Sequence, residues 1–314
     1  MSVPIIVTGN LGYLGPIVVK KLREQGAVVL GIDPNFFEAD LPYDCTPDVQ
    51  VTSLDKAPRA FWEPKAVVHL AAISNDPMGD LNPTLTYNTN VTLVSEVAEA
   101  FGGSKHILAS SASVYGFTDQ AASETDQLGP LTAYADSKVK AERVLRMIAP
   151  NATILRFGTL WGSSPNFRTD LMVNRFAIEA LTKGKIEPTS NAKRPILHID
   201  DAAECIVKVA LAHKEEWADV YNVVGENVNV FDVARKVGLA MNVDVVTDET
   251  KADVDRRSYW MGTFKVPHLA PTEPIKVGDE TAMAQLAASA AKFKDQPGRV
   301  VELKQMLDRM ENGG

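Results

Sequence analysis

The sequence predicts an α/β protein: a doubly wound parallel sheet followed by a smaller C-terminal region. Three observations carry this. Short β-branched runs alternate with helical patterns as far as about residue 162. The first run leads into a glycine-rich turn, a helix and a second run that ends on an acid. After Gly162 the alternation loosens and polar loops separate the helices.

Val3 to Thr8 is apolar and β-branched, as a strand covered on both faces should be. It runs into Gly9-Asn10-Leu11-Gly12-Tyr13-Leu14-Gly15. Pro16 suits the first turn of a helix, Val18, Val19 and Leu22 supply its buried face, and Gly26 closes it. A second strand, Ala27 to Ile32, ends at Asp33. Strand, glycine turn, helix, strand, acid is the order of a Rossmann-type dinucleotide-binding unit. In that unit Gly9 makes the tight turn, Gly12 lets the backbone approach a pyrophosphate, and Gly15 brings helix and strand close. The free N–H groups of the helix start face the phosphates. Asp33 would accept from the adenosine ribose hydroxyls and repel a 2′-phosphate, which favours NAD over NADP.

Pro34 to Asp48 reads as irregular. Ala66 to Ala72 is another buried strand, whose His69 reads equally as a packed strand-end histidine or a contact residue. Turns at Asn75-Asp76-Pro77 and Asp80-Leu81-Asn82-Pro83 precede a helix with Val91, Val94, Val97 and Ala98 on one side. His106 to Ala109 is a strand that ends in Ser110, Ser111 and Ser113. Tyr134, Lys138, Ala141, Leu145 and Ile148 then fall on one helical stripe, so a tyrosine and a lysine continue the inward face. Thr153 to Phe157 is a further strand.

That tyrosine–lysine pair suits proton chemistry. A free tyrosine titrates near ~10, and bringing it to about 7 takes roughly 4 kcal/mol. An ammonium one turn away favours the phenolate by charge and hydrogen bonding. A serine hydroxyl at the strand end could hold a substrate alcohol against it. The expected catalytic set is Tyr134 and Lys138 with one of the strand-end serines, with one ionisation well below ~10 in the active enzyme.

Beyond Gly162, Asp170 to Lys183 reads as a helix carrying Asn174 and Arg175. Lys193 to Asp201 leads into a helix from Ala202 to Ala212, followed by a strand at Tyr221 to Val224 and a helix from Phe231 to Met241. Asp255 to Tyr259 is a polar loop, and Asp279 to Lys292 and Arg299 to Met310 are two closing helices. Residues 1–163, completed by parts of 196–225, form the expected cofactor unit; 164–314 form mainly the substrate region and closing helices.

Composition narrows the class. A net charge of −8 with scattered basic residues argues against a nucleic-acid partner. Cys45 and Cys205 lie far apart with no C-x-x-C and no His/Cys cluster, which argues against a metal site or a disulfide scaffold and suits a reducing cytosol. No apolar run reaches the ~18 residues of a membrane span, and no signal-like segment precedes the first strand. A soluble, cytoplasmic protein is expected.

From Val3 to about Lys265 the chain resembles the extended short-chain dehydrogenase/reductases, in their NAD-dependent nucleotide-sugar epimerase/dehydratase branch. The carrying motifs are T-G-N-L-G-Y-L-G, H-L-A-A, S-S-A-S-V-Y-G, Y-A-D-S-K, I-L-R-F-G-T-L-W-G, R-P-I-L-H-I-D-D and D-R-R-S-Y. Ser74 to Pro83 looks like a subset that acts on surface or secondary-metabolite sugars. The resemblance implies Ser111 as the catalytic hydroxyl with Ser113 beside it, Tyr134 as the base, and Lys138 as its partner on the nicotinamide ribose. It also implies Gly9, Gly12, Leu14, Gly15, Asp33, Leu70, Ala71 and Asn90 as cofactor contacts. Ser74, Asn75, Ser111 and Ser113 would meet the substrate, and Asn174, Arg194 and Arg257 would grip its nucleotide diphosphate.

The chain departs from the pattern in three places. Thr52-Ser53 replaces the acid that usually contacts adenine, and Thr159 stands for an asparagine. Ala112 and Ser113 replace the Asp-Glu pair of the sugar 4,6-dehydratases, which disfavours elimination of water. The leading expectation is an NDP-sugar epimerase acting at C4 with NAD. A 4-ketoreductase on the same substrate class is the alternative. A catalytically silent NAD-binding regulator is the third class, and the intact Ser111, Tyr134 and Lys138 weigh against it. The helices from about Thr84 to Phe101 and Ala133 to Ile148 are those the family pairs across a two-fold axis, so a homodimer is expected.

Overall fold

In a computed structural model of the chain, which describes residues 3–37, 39–61, 63–213, 215–248, 258–262, 269 and 273–311, the first predicted strand lies inside a seven-stranded sheet. The cofactor half runs β1 (Val3–Thr8), α1 (Gly15–Glu24), β2 (Ala27–Ile32), β3 (Val49–Val51), β4 (Ala66–His69), α2 (Asp76–Leu81) and α3 (Pro83–Tyr87). A π-helical turn at Asn88–Thr92 leads into α4 (Leu93–Ala100), then β5 (Lys105–Ser111), β6 (Ala121–Ala122), α5 (Ala133–Ile148) and β7 (Thr153–Phe157). The rest comprises β8 (Thr159–Trp161), α6 (Met172–Lys183), β9 (Lys185–Ile186), β10 (Lys193–His198), α7 (Ile199–Leu211), β11 (Val220–Val223) and β12 (Glu226–Asn229). Last come α8 (Val230–Met241), β13 (Asp244–Val245), β14 (Trp260–Met261), α9 (Glu280–Phe293) and α10 (Arg299–Glu311).

The sheet order is β11-β7-β5-β4-β1-β2-β3, with every pair parallel. The winding reverses between β1 and β4, the place where such sheets open a crevice at their carboxyl ends. Period-2 alternation gives each face its own core. Ile5 and Val7 pack under Val18, Val19 and Leu22 of α1 and Ile206 and Val209 of α7. Ile6 packs on the other side with Leu30, Val67 and Val97. Ala141 and Leu145 of α5 join Leu108 and Ile154 there. Each such aliphatic side chain contributes about 1.5–3 kcal/mol by leaving water. A separate core around Trp161, Phe176, Val233 and Leu286 joins β8, α6, α8 and α9.

Several boundaries differ from expectation. The strand expected to Ala72 ends at His69, and the chain from Leu70 peels away to line the crevice. The helix expected from Asp170 starts at Met172, because Asp170 is occupied in side-chain pairing with Arg168 and Asn75. The helix expected from Ala202 starts at Ile199, capped by His198, whose Nδ1 accepts from the Asp200 N–H at 3.3 Å. Strand β3 and, apart from the six-residue β10, the strands of three small sheets (β12-β10-β8, β13-β9 and β14-β6) have too few residues to show a period. His69 is a packed residue: its Nε2 meets His106 Nδ1 at 3.0 Å, and burial lowers its pKa. No described helix is long and apolar enough to cross a membrane.

Candidate active site

The ends of β1, β2, β4, β5 and β7 open into one cavity of about 600 Å³. Gly9, Gly12, Leu14, Gly15 and Asp33 line one part of it; Leu70, Ala71, Ser74 and Asn75 run along it; Ser111, Ser113, Tyr134 and Lys138 stand at the other part.

The glycine turn has the shape that a pyrophosphate needs. Gly9 sits at φ +71°, and a Cβ there would come within 2.4 Å of the Ala71 nitrogen. The Gly12 N–H closes the turn on the Gly9 carbonyl at 3.1 Å. Asp33 accepts from the Asn35 N–H at 2.8 Å and the Leu11 N–H at 3.2 Å, so its carboxylate is aimed by backbone beside the turn. Burial raises the Asp33 pKa, and those two donors oppose the rise. The cradle, the acid and the cavity of about 600 Å³ fit a dinucleotide.

Helix α5 presents Tyr134 and Lys138 to the cavity. Thr132 caps it by accepting from the Ala135 N–H at 3.1 Å, and its hydroxyl donates to Asp76 at 2.6 Å. Gly79 of α2 lies against Tyr134, where a Cβ would stand 2.7 Å from the tyrosine's own. Lys138 is buried, and its Nζ donates to the Ala109 carbonyl at 2.8 Å. The three serines divide their roles. Ser110 is buried and donates to Glu142, which pairs with Arg156 at 2.7 Å beneath the site. Ser111 and Ser113 share a hydrogen bond of 2.9 Å on the cavity wall.

Without the cofactor, burial sets the titration of the pair. Burial pushes the Tyr134 hydroxyl above 10, and its hydrogen bond with Ser111 offsets this only in part. Burial also pushes the Lys138 ammonium down to about 8, with Glu142 opposing. Both groups are held in apolar surroundings, which disfavour either charge.

Other expected residues fall elsewhere. Asn90 lies behind the wall: it accepts from the Ile73 N–H at 2.8 Å and donates to the Ile73 carbonyl at 3.0 Å and to Ser137 at 2.9 Å. It therefore ties the cavity strip at Ile73 to α5. Asn174 is buried off the wall, accepting from the Gly162 N–H and donating to the Arg168 carbonyl and the Tyr13 hydroxyl. Arg194 is half-buried off the wall, its guanidinium 5.6 Å from the Tyr259 ring centroid. Arg257 lies outside the described residues.

The wall also carries residues that the sequence reading passed over. Tyr259 and Asp76 stand on the Tyr134 side. Arg168 donates to Ser74 at 2.8 Å and forks onto Asp170, and α10 contributes Arg299, Leu303 and Met306. The R-x-D spacing of Arg168 and Asp170 and the i, i+4, i+7 stripe of α10 were visible signals without a visible target.

A dinucleotide-binding α/β enzyme with a tyrosine–lysine pair is the class that fold and site define. The model of the NAD dependent epimerase/dehydratase family matches residues 5–224, and the chain belongs to that family, with NAD as its cofactor. A probable UDP-glucuronate 4-epimerase of Rhizobium meliloti (strain 1021) is 27% identical over 65% of this chain and 67% of its own length. A dTDP-4-dehydrorhamnose reductase of Aggregatibacter actinomycetemcomitans is 25% identical over 79% of this chain and 85% of its own. The solved UDP-glucuronic acid 4-epimerase from Bacillus cereus, in complex with UDP-glucuronic acid and NAD, shares the fold. Its TM-score is 0.76 at 20% identity, over 92% of this chain and 99% of its own.

Proposed function

We propose that the protein epimerises a nucleotide-diphosphate sugar at C4 through a transient keto-sugar. The observation that carries this is the single cavity joining the glycine turn and Asp33 to Ser111, Tyr134 and Lys138, with Ala112 and Ser113 where a dehydratase has its acid pair.

NAD, when bound, supplies a hydride acceptor that can give the hydride back. Tyr134 takes the sugar hydroxyl proton as the C–H bond breaks, and returns it once the keto-sugar has presented its other face. Lys138 stabilises the phenolate by charge. Bound NAD would add positive charge that favours the phenolate, whose pKa burial raises in the cofactor-free site. Ser111 and Ser113 hold the reacting oxygen against Tyr134. Ser74, Asn75 and Tyr259 border the space left for the sugar. Arg257 and Arg194 are assigned to the diphosphate, for which a guanidinium fork is suited, whereas Asn174, expected to join them, is buried with its amide spent on Gly162, Arg168 and Tyr13.

A second reading, reduction of a 4-keto NDP-sugar, uses the same trio and draws on the similarity to the rhamnose-pathway reductase. Incubation with UDP-, GDP-, dTDP- and CDP-sugars, followed by proton NMR, separates the two. A new sugar spectrum without net cofactor consumption supports epimerisation, and stoichiometric consumption with a keto-sugar supports reduction. No change with any of these sugars would count against both.

The same reading divides the chain into a cofactor unit (1–163 with parts of 196–225) and a mainly substrate-binding remainder (164–314). Free, buried Cys45 and Cys205 suit a cytoplasmic setting, and α4 with α5 are assigned to a homodimer interface.

A further inference from the structure

The cavity has one wall that the Rossmann unit does not supply. Thr52 and Ser53, which follow β3, do not line it; beyond Asp33 the wall is built by Phe36 and Phe37 together with α10. Helix α10 presents Arg299, Leu303 and Met306, one face at i, i+4 and i+7. Leu303 is 1% exposed and packs on Ile73 and Met78, the strip beside the pyrophosphate cradle.

Arg299 is 7% exposed, with its guanidinium 4.3 Å above the Phe37 ring centroid. One arm donates to Glu302 at 2.6 Å, a carboxylate on the solvent side with its side chain 25% exposed. The other donates to the Asn166 side-chain oxygen, and the Asn166 amide in turn donates to the Leu11 carbonyl of the glycine turn at 2.6 Å. The guanidinium thus reaches the turn through one side chain, close enough to Asp33 for its charge to oppose that acid's raised pKa. Its neighbour Arg168 differs, because Asp170 takes both Nε and Nη2 while Ser74 takes Nη1. Of the two buried guanidiniums that line the wall among the described residues, Arg299 is the one whose acidic partner is a surface group.

We infer that α10 is a strap over bound NAD, in which Arg299 binds the cofactor's pyrophosphate while Leu303 and Met306 cover its adenosine half. A guanidinium offers a phosphate two donors at fixed spacing, and the apolar face excludes water from the cofactor. Release of NAD then requires α10 to lift. The inference rests on NAD being the cofactor, which titration of the unaltered protein reads separately.

The test compares the binding of NAD, ADP-ribose and adenosine by calorimetry. In Arg299→Gln, NAD and ADP-ribose should each weaken by about 10- to 100-fold, the size of a lost charge-assisted hydrogen bond, and adenosine by much less. Leu303→Ala should speed NAD release in stopped-flow displacement. Unchanged NAD affinity in Arg299→Gln, or equal weakening of all three probes, would overturn the assignment. A measurement on the unaltered chain guards against a variant that does not fold. NAD should slow amide exchange across 299–311, and exchange there that ignores NAD rules the strap out.

Discussion

The Lys138 Nζ stands 6.0 Å from the Tyr134 ring centroid, directed at the Ala109 carbonyl, so the pair shares one stretch of the cavity wall. In the cofactor-free site the first proton to leave is the lysine's, since burial holds it at about 8 and the tyrosine above 10.

A stability prediction follows from Lys138. Its folded pKa lies below the ordinary lysine value, so between about pH 8 and 10.5 the unfolded chain binds more protons than the folded one, and stability rises with pH. The cost of the buried charge is present below about 8 and is relieved across that window, by about 3 kcal/mol in all. Lys138→Met should therefore be more stable than the unaltered protein at pH 7, by a margin that shrinks toward pH 10. Thermal melts of both proteins across pH 7–10 check this, and parallel curves would contradict it.

Asp33 should set cofactor choice. Its carboxylate is fixed by the Leu11 and Asn35 N–H groups, and a 2′-phosphate brought beside it meets a like charge. NAD should bind far more tightly than NADP, and Asp33→Asn should narrow the gap by about tenfold or more by removing the charge, although the amide can accept from only one of the two backbone N–H groups. Equal binding of both cofactors to the native protein in calorimetry would remove this role.

How much of this was legible in the sequence depends on the range of each contact. Gly9, Asp33, Tyr134 and Lys138 were readable because local backbone and one helical turn place them. Arg168 was not, since its partner Ser74 lies 94 residues away, and Arg299 meets Asn166 across 133 residues. Ser110, Ser111 and Ser113 were equivalent as letters; only the Glu142–Arg156 pair beneath the strand shows which of them is spent on structure. The motif asparagine Asn90 was visible as a motif, while its bonds to Ile73 and Ser137 needed the fold.

Assembly is the third expectation. Helix α5 leaves Met147 82% exposed and α3 leaves Tyr87 44% exposed, with Lys140 over the Tyr87 ring at 5.5 Å. These apolar groups lie on the outer side of the elements assigned to the two-fold interface. Light scattering at micromolar concentration should give a dimer mass, and Met147→Glu should give a monomer with the fold retained. A native monomer would refute the assignment.

The decisive test is the base itself. In Tyr134→Phe the ring still fills its place against Gly79 of α2, so the helix contact and NAD binding should survive. The proton acceptor is gone, and no neighbour can replace it. Ser111 and Ser113 are hydroxyls of far higher pKa, Lys138 is a donor to Ala109, and Asp76 is engaged by the Thr132 hydroxyl. Loss of a general base costs about 10²–10⁴-fold, so kcat should fall by that range or more at unchanged NAD affinity. Ser111→Ala should fall less, because Ser113 stands 2.9 Å away and can take over part of the hydrogen bonding. Tyr134→Phe that keeps most of its turnover, on any nucleotide sugar the native protein accepts, would mean that the proton leaves by another route and that the site has been read from the wrong residue.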